Sequence, residues 1–160
     1  MSDSYEFRTT RGYEIIEHDS KLITSAMEDY LEMIYRATLA CGLVRLNTLS
    51  RLLNVRPPSA SKMISRLSKF GYINYTNHDL LEFTERGVKI AKYLYDRHIA
   101  VESFLNNLGM HQNTLTDTEK IEHNISDVLL ERINLFNQYV QENPTFLKIF
   151  EEYTPKKDNI

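Results

Sequence analysis

The chain has 160 residues, 42% of them hydrophobic, and a formal net charge of −3. That is enough apolar side chain for the core of one domain or of two small ones, and it argues against a disordered chain. A lone cysteine, Cys41, excludes an intrachain disulfide framework and fits a reducing cytosol. The polar N-terminus lacks the apolar stretch of a signal peptide, and no run of about 18 apolar residues is present to span a membrane. A cytoplasmic protein without a membrane partner is expected.

Residues 1–21 read as a loose extension with few apolar anchors. Thr24 or Ser25 then caps a helix through AMEDYLEMIYRATLA, where Met27, Tyr30, Leu31, Ile34 and Tyr35 recur at helical spacing and Gly42 is a stop. Leu46–Leu53 predicts a short helix with Leu49, Leu52 and Leu53 inward. Pro57 and Pro58 interrupt, and Pro58 suits the first turn of the next helix, SASKMISRLSKF, which Gly71 ends. The period then changes to two short β patterns, YINY and LLEF, around a TNHD turn that includes His78 and Asp79. A long helix follows, capped by Thr84 and closed by Gly109, then one from Thr116 through Ile125 and another over Asp127–Gln141. Asn143–Pro144 restarts a last short helix, TFLKIFEEY, before a frayed tail.

Charge is distributed unevenly. From Val44 to His78 there is no Asp or Glu, while Arg45, Arg51, Arg56, Lys62, Arg66 and Lys69 lie in that stretch. Helix, short turn, helix and hairpin is the order of a winged helix-turn-helix. Its second helix offers Ser59, Ser61, Lys62, Ser65, Arg66 and Lys69, with Arg56 just before it. Lys and Arg suit phosphates or guanine edges, and serine hydroxyls suit either. A carboxylate among them would repel phosphate. A solvated helix face with ordinary lysines is the plainer alternative.

The acidic remainder carries a second pattern. Asp29 and Glu32 stand at i, i+3; His98 and Glu102 at i, i+4; Glu119, Glu122 and His123 at i, i+3, i+4. Each set rises from one face of a helix. Carboxylates gathered together repel unless a cation neutralises them. Oxygen donors with two imidazoles and no thiolate suit Mn²⁺ or Fe²⁺ better than structural zinc. Each element has an ordinary alternative: Thr116-x-x-Glu119 is also a capping box, and a single histidine often packs on a half-apolar surface.

SAMEDYLEMIY, PPSASKMISRLSKFGYI, LEFTERG, YDRHIAVESFL and EKIEHNIS, in this order over about residues 22–140, resemble the metal-dependent repressors of the diphtheria toxin repressor family, and most closely its manganese-responsive branch. The resemblance implies metal ligands at Asp29, Glu32, His98, Glu119, Glu122 and His123. Iron-responsive relatives place Met and Cys where this chain has Asp29 and Glu119, which implies Mn²⁺, one or two per subunit, with Fe²⁺ or another divalent ion as the alternative. Glu102 matches an acidic position at an accessory site and is a candidate to support the ligands from behind. The chain's end near residue 160 leaves no room for the SH3-like third domain of the iron branch, again like the manganese branch.

The expected fold is mostly α: a winged helix-turn-helix with a small β-hairpin wing, followed by an all-α dimerisation domain. The expected boundaries are an extension at 1–21, a DNA-binding domain at 22–93, a metal-binding and dimerisation domain at 94–154 and a flexible tail at 155–160. Ile121, Ile125, Leu129, Leu130, Ile133, Leu135 and Phe136 are expected at the contact of a homodimer. Two reading helices about 34 Å apart would then match a palindromic operator in double-stranded DNA. A winged-helix regulator responding to iron or to an organic ligand is the alternative. A metal-dependent hydrolase is disfavoured because no HExxH, nucleophile elbow or phosphate loop is present.

Overall fold

The computed structural model describes residues 23–75 and 80–153. The N-terminal extension, the His78–Asp79 tip of the hairpin and the tail lie outside the described residues. The chain divides into two compact units, with the boundary between Leu94 and Tyr95.

The first unit begins with α1 (Ser25–Cys41), preceded by Thr24 in extended conformation and ended by Gly42 at φ 78°. A short strand β1 (Val44–Arg45) leads into α2 (Leu46–Leu52). Asn54 then takes φ 52°, a left-handed conformation that asparagine tolerates better than most residues, and so turns the chain between α2 and α3. Arg56 is extended, as a residue before proline prefers, and α3 runs Pro57–Lys69 with both prolines in its first turn. β2 (Ile73–Tyr75) and β3 (Leu80–Phe83) are the two strands of the wing.

The sheet has three strands, not the two the β patterns predict. Its order is β1-β3-β2, all antiparallel, with Val44 opposite Leu81 and Ile73 opposite Phe83. β1 is too short to show alternation. Val44 is nonetheless buried at 1% exposure and anchors the strand. The core beneath the sheet joins Met27, Leu31 and Ile34 of α1 to Leu49, Ile64, Leu67, Tyr72 and Leu81. Each such fully buried aliphatic side chain contributes about 1.5–3 kcal/mol by removal from water. Leu52, expected inward, is exposed, whereas Leu49 fills the core from α2.

The long helix α4 (Glu85–Asn107) starts in the first unit and ends in the second. Thr84 caps it, its Oγ1 accepting from the Gly87 amide at 2.9 Å. In its first turn, Lys89 hydrogen-bonds Glu85 and holds that carboxyl below its ordinary pKa. The second unit continues with α5 (Thr114–Glu122), α6 (Asp127–Glu142) and α7 (Thr145–Tyr153). Ser126 caps α6, accepting from the Leu129 amide. Phe136 meets Phe104 and Phe146 edge to face, tying α6 to α4 and α7. Val101, Leu105, Leu130, Ile133 and Val140 are buried. Leu130 and Ile133, expected at a dimer contact, are therefore core residues of a single chain. Among the described residues, no helix is long and apolar enough to cross a membrane.

Candidate metal centre and nucleic-acid interface

The metal candidates of the second unit converge. His98, in α4, is buried, and its Nδ1 lies 2.8 Å from Oε2 of Glu122 and 3.9 Å from Oε1 of Glu119, both on α5. His123 follows directly after α5, and its Nε2 stands 3.8 Å from Oε1 of Glu122. The helix stops at Glu122, short of the predicted Ile125. His123 keeps φ −73° and ψ −11°, so the i, i+3, i+4 face survives into the cap. Donor atoms of Glu119 and His123 lie within 4.8 Å of one another.

Glu119 does not cap its helix. Asn113, in the left-handed region, precedes α5, and Thr116 lies inside it, so the capping-box reading fails. The carboxylate of Glu119 is half-exposed and turned toward His98 instead. Glu122 is fully buried; neither of its oxygens accepts a well-aligned hydrogen bond among the described residues, and the short approach of His98 is an ion pair only when that ring is protonated. Thr118, one turn earlier on the same face, is also fully buried, its hydroxyl likewise without a well-aligned hydrogen bond among the described residues. A buried carboxylate without hydrogen bonds costs several kcal/mol. A cation held between it and the imidazoles removes that cost, so two carboxylates and two imidazoles here fit a divalent metal.

Two cations escaped sequence reading. Arg97, buried beside His98 in sequence, places Nη2 3.4 Å from Nδ1 of His123, which leaves Nε2 of that ring on the Glu122 side. Only its adjacency to His98 hinted at this role. In the first unit, Arg36 forms an ion pair with Glu32 one turn before it on α1. Asp29 and Glu32 share one face of α1, Asp29 half-buried and Glu32 buried. Between them Tyr30 is buried, and burial pushes its phenol up from the ordinary value. Glu102 is half-buried one turn after His98.

The basic face of α3 is built on its apolar one. Ala60, Ile64 and Leu67 pack inward at i, i+4, i+7, which leaves Ser59, Lys62, Ser65, Arg66 and Lys69 exposed on the far side. Arg56 is exposed at the entry and Ser61 is half-buried. The Ser65 hydroxyl donates to the Ser61 carbonyl at 2.8 Å and keeps its lone pairs for an incoming donor. The Arg66 guanidinium rests 5.9 Å from the Phe70 ring centre.

Comparison with known proteins agrees with both halves. Residues 22–79 match the family model described as iron dependent repressor, N-terminal DNA binding domain. Residues 84–151 match the one described as iron dependent repressor, metal binding and dimerisation domain. The chain is similar to the HTH-type transcriptional regulator MntR of Lysinibacillus sphaericus (strain C3-41), 36% identical over 129 residues that cover 80% of this chain and 93% of that one. It is 37% identical over 136 residues to the protein of the same name in Shouchella clausii (strain KSM-K16), covering 84% and 95%. The solved structure of the manganese regulator SloR aligns with a TM-score of 0.60 at 28% identity, covering 71% of this chain; the chain spans 54% of that solved protein's length. The chain, a winged helix-turn-helix with a basic second helix followed by a helical unit rich in oxygen and nitrogen donors, thus belongs to the iron-dependent repressor family of metal-dependent, DNA-binding transcriptional repressors.

Proposed function

We propose that this chain is a cytoplasmic, homodimeric repressor activated by Mn²⁺, acting on genes of manganese uptake. The observation that carries the metal is the buried Glu122 carboxylate, lacking well-aligned hydrogen bonds and flanked by His98 and His123. The choice of manganese is supported by the donor set, all oxygen and imidazole with no thiolate. It is also supported by relatives named MntR and by a related manganese regulator. We assign the ligands as Asp29, Glu32, His98, Glu119, Glu122 and His123, for one or two ions per chain, with Fe²⁺ the competing occupant.

Bound Mn²⁺ would supply the positive charge these carboxylates need. Glu122 and His98 would hold it with buried donors, and Arg97 orients the ring of His123. Asp29 and Glu32 would add carboxylates from α1, in the DNA-binding unit. Lys62, Arg66 and Lys69, with Arg56 and the serines, then face DNA. In a dimer, exposed Ile121, Leu129 and Leu135 are available to a second copy. Paired reading helices one DNA turn apart suit a palindromic operator, and the ordering cost is met before DNA arrives.

Calorimetric titration of the metal-free chain with Mn²⁺ tests the reading. Saturable binding of one or two ions per chain is expected, lost in Glu119→Ala with the fold retained. No binding would remove manganese from the account and leave iron or an organic ligand as the effector.

A further inference from the structure

The reading helix ends against the start of the long helix. Phe70 is the C-cap of α3, and Gly71 and Tyr72 follow it. The carbonyls of all three accept hydrogen bonds from residues at the head of α4. Arg86 Nη1 donates to Phe70 O at 3.2 Å, Thr84 Oγ1 to Gly71 O at 2.7 Å, and the Thr84 amide to Tyr72 O at 3.0 Å. The carbonyl end of a helix carries partial negative charge and unmet acceptors, so a guanidinium there meets both needs.

The join is also tightly packed. A Cβ added at Gly87 would sit 1.9 Å from the Tyr72 carbonyl oxygen, so only glycine lets the two backbones approach this closely. Arg86 covers the Tyr72 ring at 4.8 Å, and Tyr72 stacks on Phe70 at 6.4 Å with 15° between planes. Arg66, one of the DNA candidates, lies over the other ring of this layer. About three turns further along the same helix stands His98.

We propose that Arg86, assisted by Thr84, is a positioning residue that locks the reading helix to the helix carrying His98. A change in how α4 is held thereby reaches Lys62, Arg66 and Lys69. The inference rests on the manganese-activated reading above. Arg86 suits the task because one planar fork serves a carbonyl and a ring together, which a lysine ammonium cannot.

The test uses the full chain and the variants Arg86→Met, Arg86→Lys and Thr84→Val. Arg86→Met keeps an apolar stem over Tyr72, and Arg86 is exposed, so the fold is retained. DNA affinity is measured in excess Mn²⁺ and in excess chelator, at several salt concentrations, and Mn²⁺ affinity is measured without DNA. In Arg86→Met, the factor by which Mn²⁺ raises DNA affinity falls about tenfold. Mn²⁺ affinity of the free chain stays within about twofold, and the salt slope is unchanged, since a residue engaged with the Phe70 carbonyl neutralises no phosphate. Thr84→Val moves the factor in the same direction, and Arg86→Lys restores little of it. A wild-type factor in Arg86→Met overturns the proposal. So does a salt slope lowered by about one, which makes Arg86 a phosphate-binding residue instead. Failure of the underlying reading shows separately, as wild-type chain whose DNA affinity ignores Mn²⁺.

Discussion

Glu122→Gln leaves the protein folded and abolishes the response of DNA binding to Mn²⁺. The substitution preserves shape, so packing against His98 and His123 persists. It removes the negative charge and turns one ligand oxygen into a donor group. Mn²⁺ affinity falls by more than about 100-fold, beyond the 10–100-fold that loss of a supporting partner of a metal ligand typically costs. The sign of the effect on the metal-free chain is distinctive. Glu122 is fully buried and its oxygens accept no well-aligned hydrogen bond among the described residues. A buried charge without compensation is costly, and a neutral group of the same shape relieves that cost in the metal-free chain. Thermal melts should therefore place the metal-free variant at or above the metal-free wild type. Added Mn²⁺ should raise the melting temperature of the wild type only. A variant that melts well below the metal-free wild type would show that the carboxylate is structural.

Lys62→Ala together with Arg66→Ala weakens DNA binding at least tenfold. The expected cost is about 1–3 kcal/mol for each base edge no longer read, and the salt slope drops by about one for each phosphate no longer neutralised. Both side chains are exposed on α3, opposite Ile64 and Leu67, so their removal leaves the core intact. Mn²⁺ affinity of the free chain stays unchanged, because neither residue belongs to the ligand set. Calorimetry beside anisotropy at two salt concentrations checks both halves. Loss of metal binding in the same variant would contradict the division of labour between the units.

Much of this was legible locally. Pro57–Pro58 and the spacing of Ile64 and Leu67 set the start and the inward face of α3, and so which basic residues point outward. That Glu119, Glu122 and His123 share one face was legible for the same reason, since i, i+3 and i+4 are neighbours on any helix. What escaped depends on pairings distant in sequence. β1 is a strand only because β3 returns beside it, with Leu81 opposite Val44. The 2.8 Å approach of His98 to Glu122 joins two helices separated by a loop. The start of α5 turned on the left-handed backbone of Asn113, which asparagine tolerates but its sequence neighbours do not reveal. Arg86 and Arg97 were not singled out, because a sequence shows a cation but not the carbonyl or imidazole it meets.

The most direct measurement uses duplexes enriched by the wild-type chain from a random pool in Mn²⁺. Affinity of the full chain for the winning duplex is measured at fixed salt, once with excess Mn²⁺ and once with excess chelator. The account predicts palindromic winners bound about 100-fold more tightly with the metal, a coupling of about 2.7 kcal/mol. Equal affinity in the two conditions would contradict it.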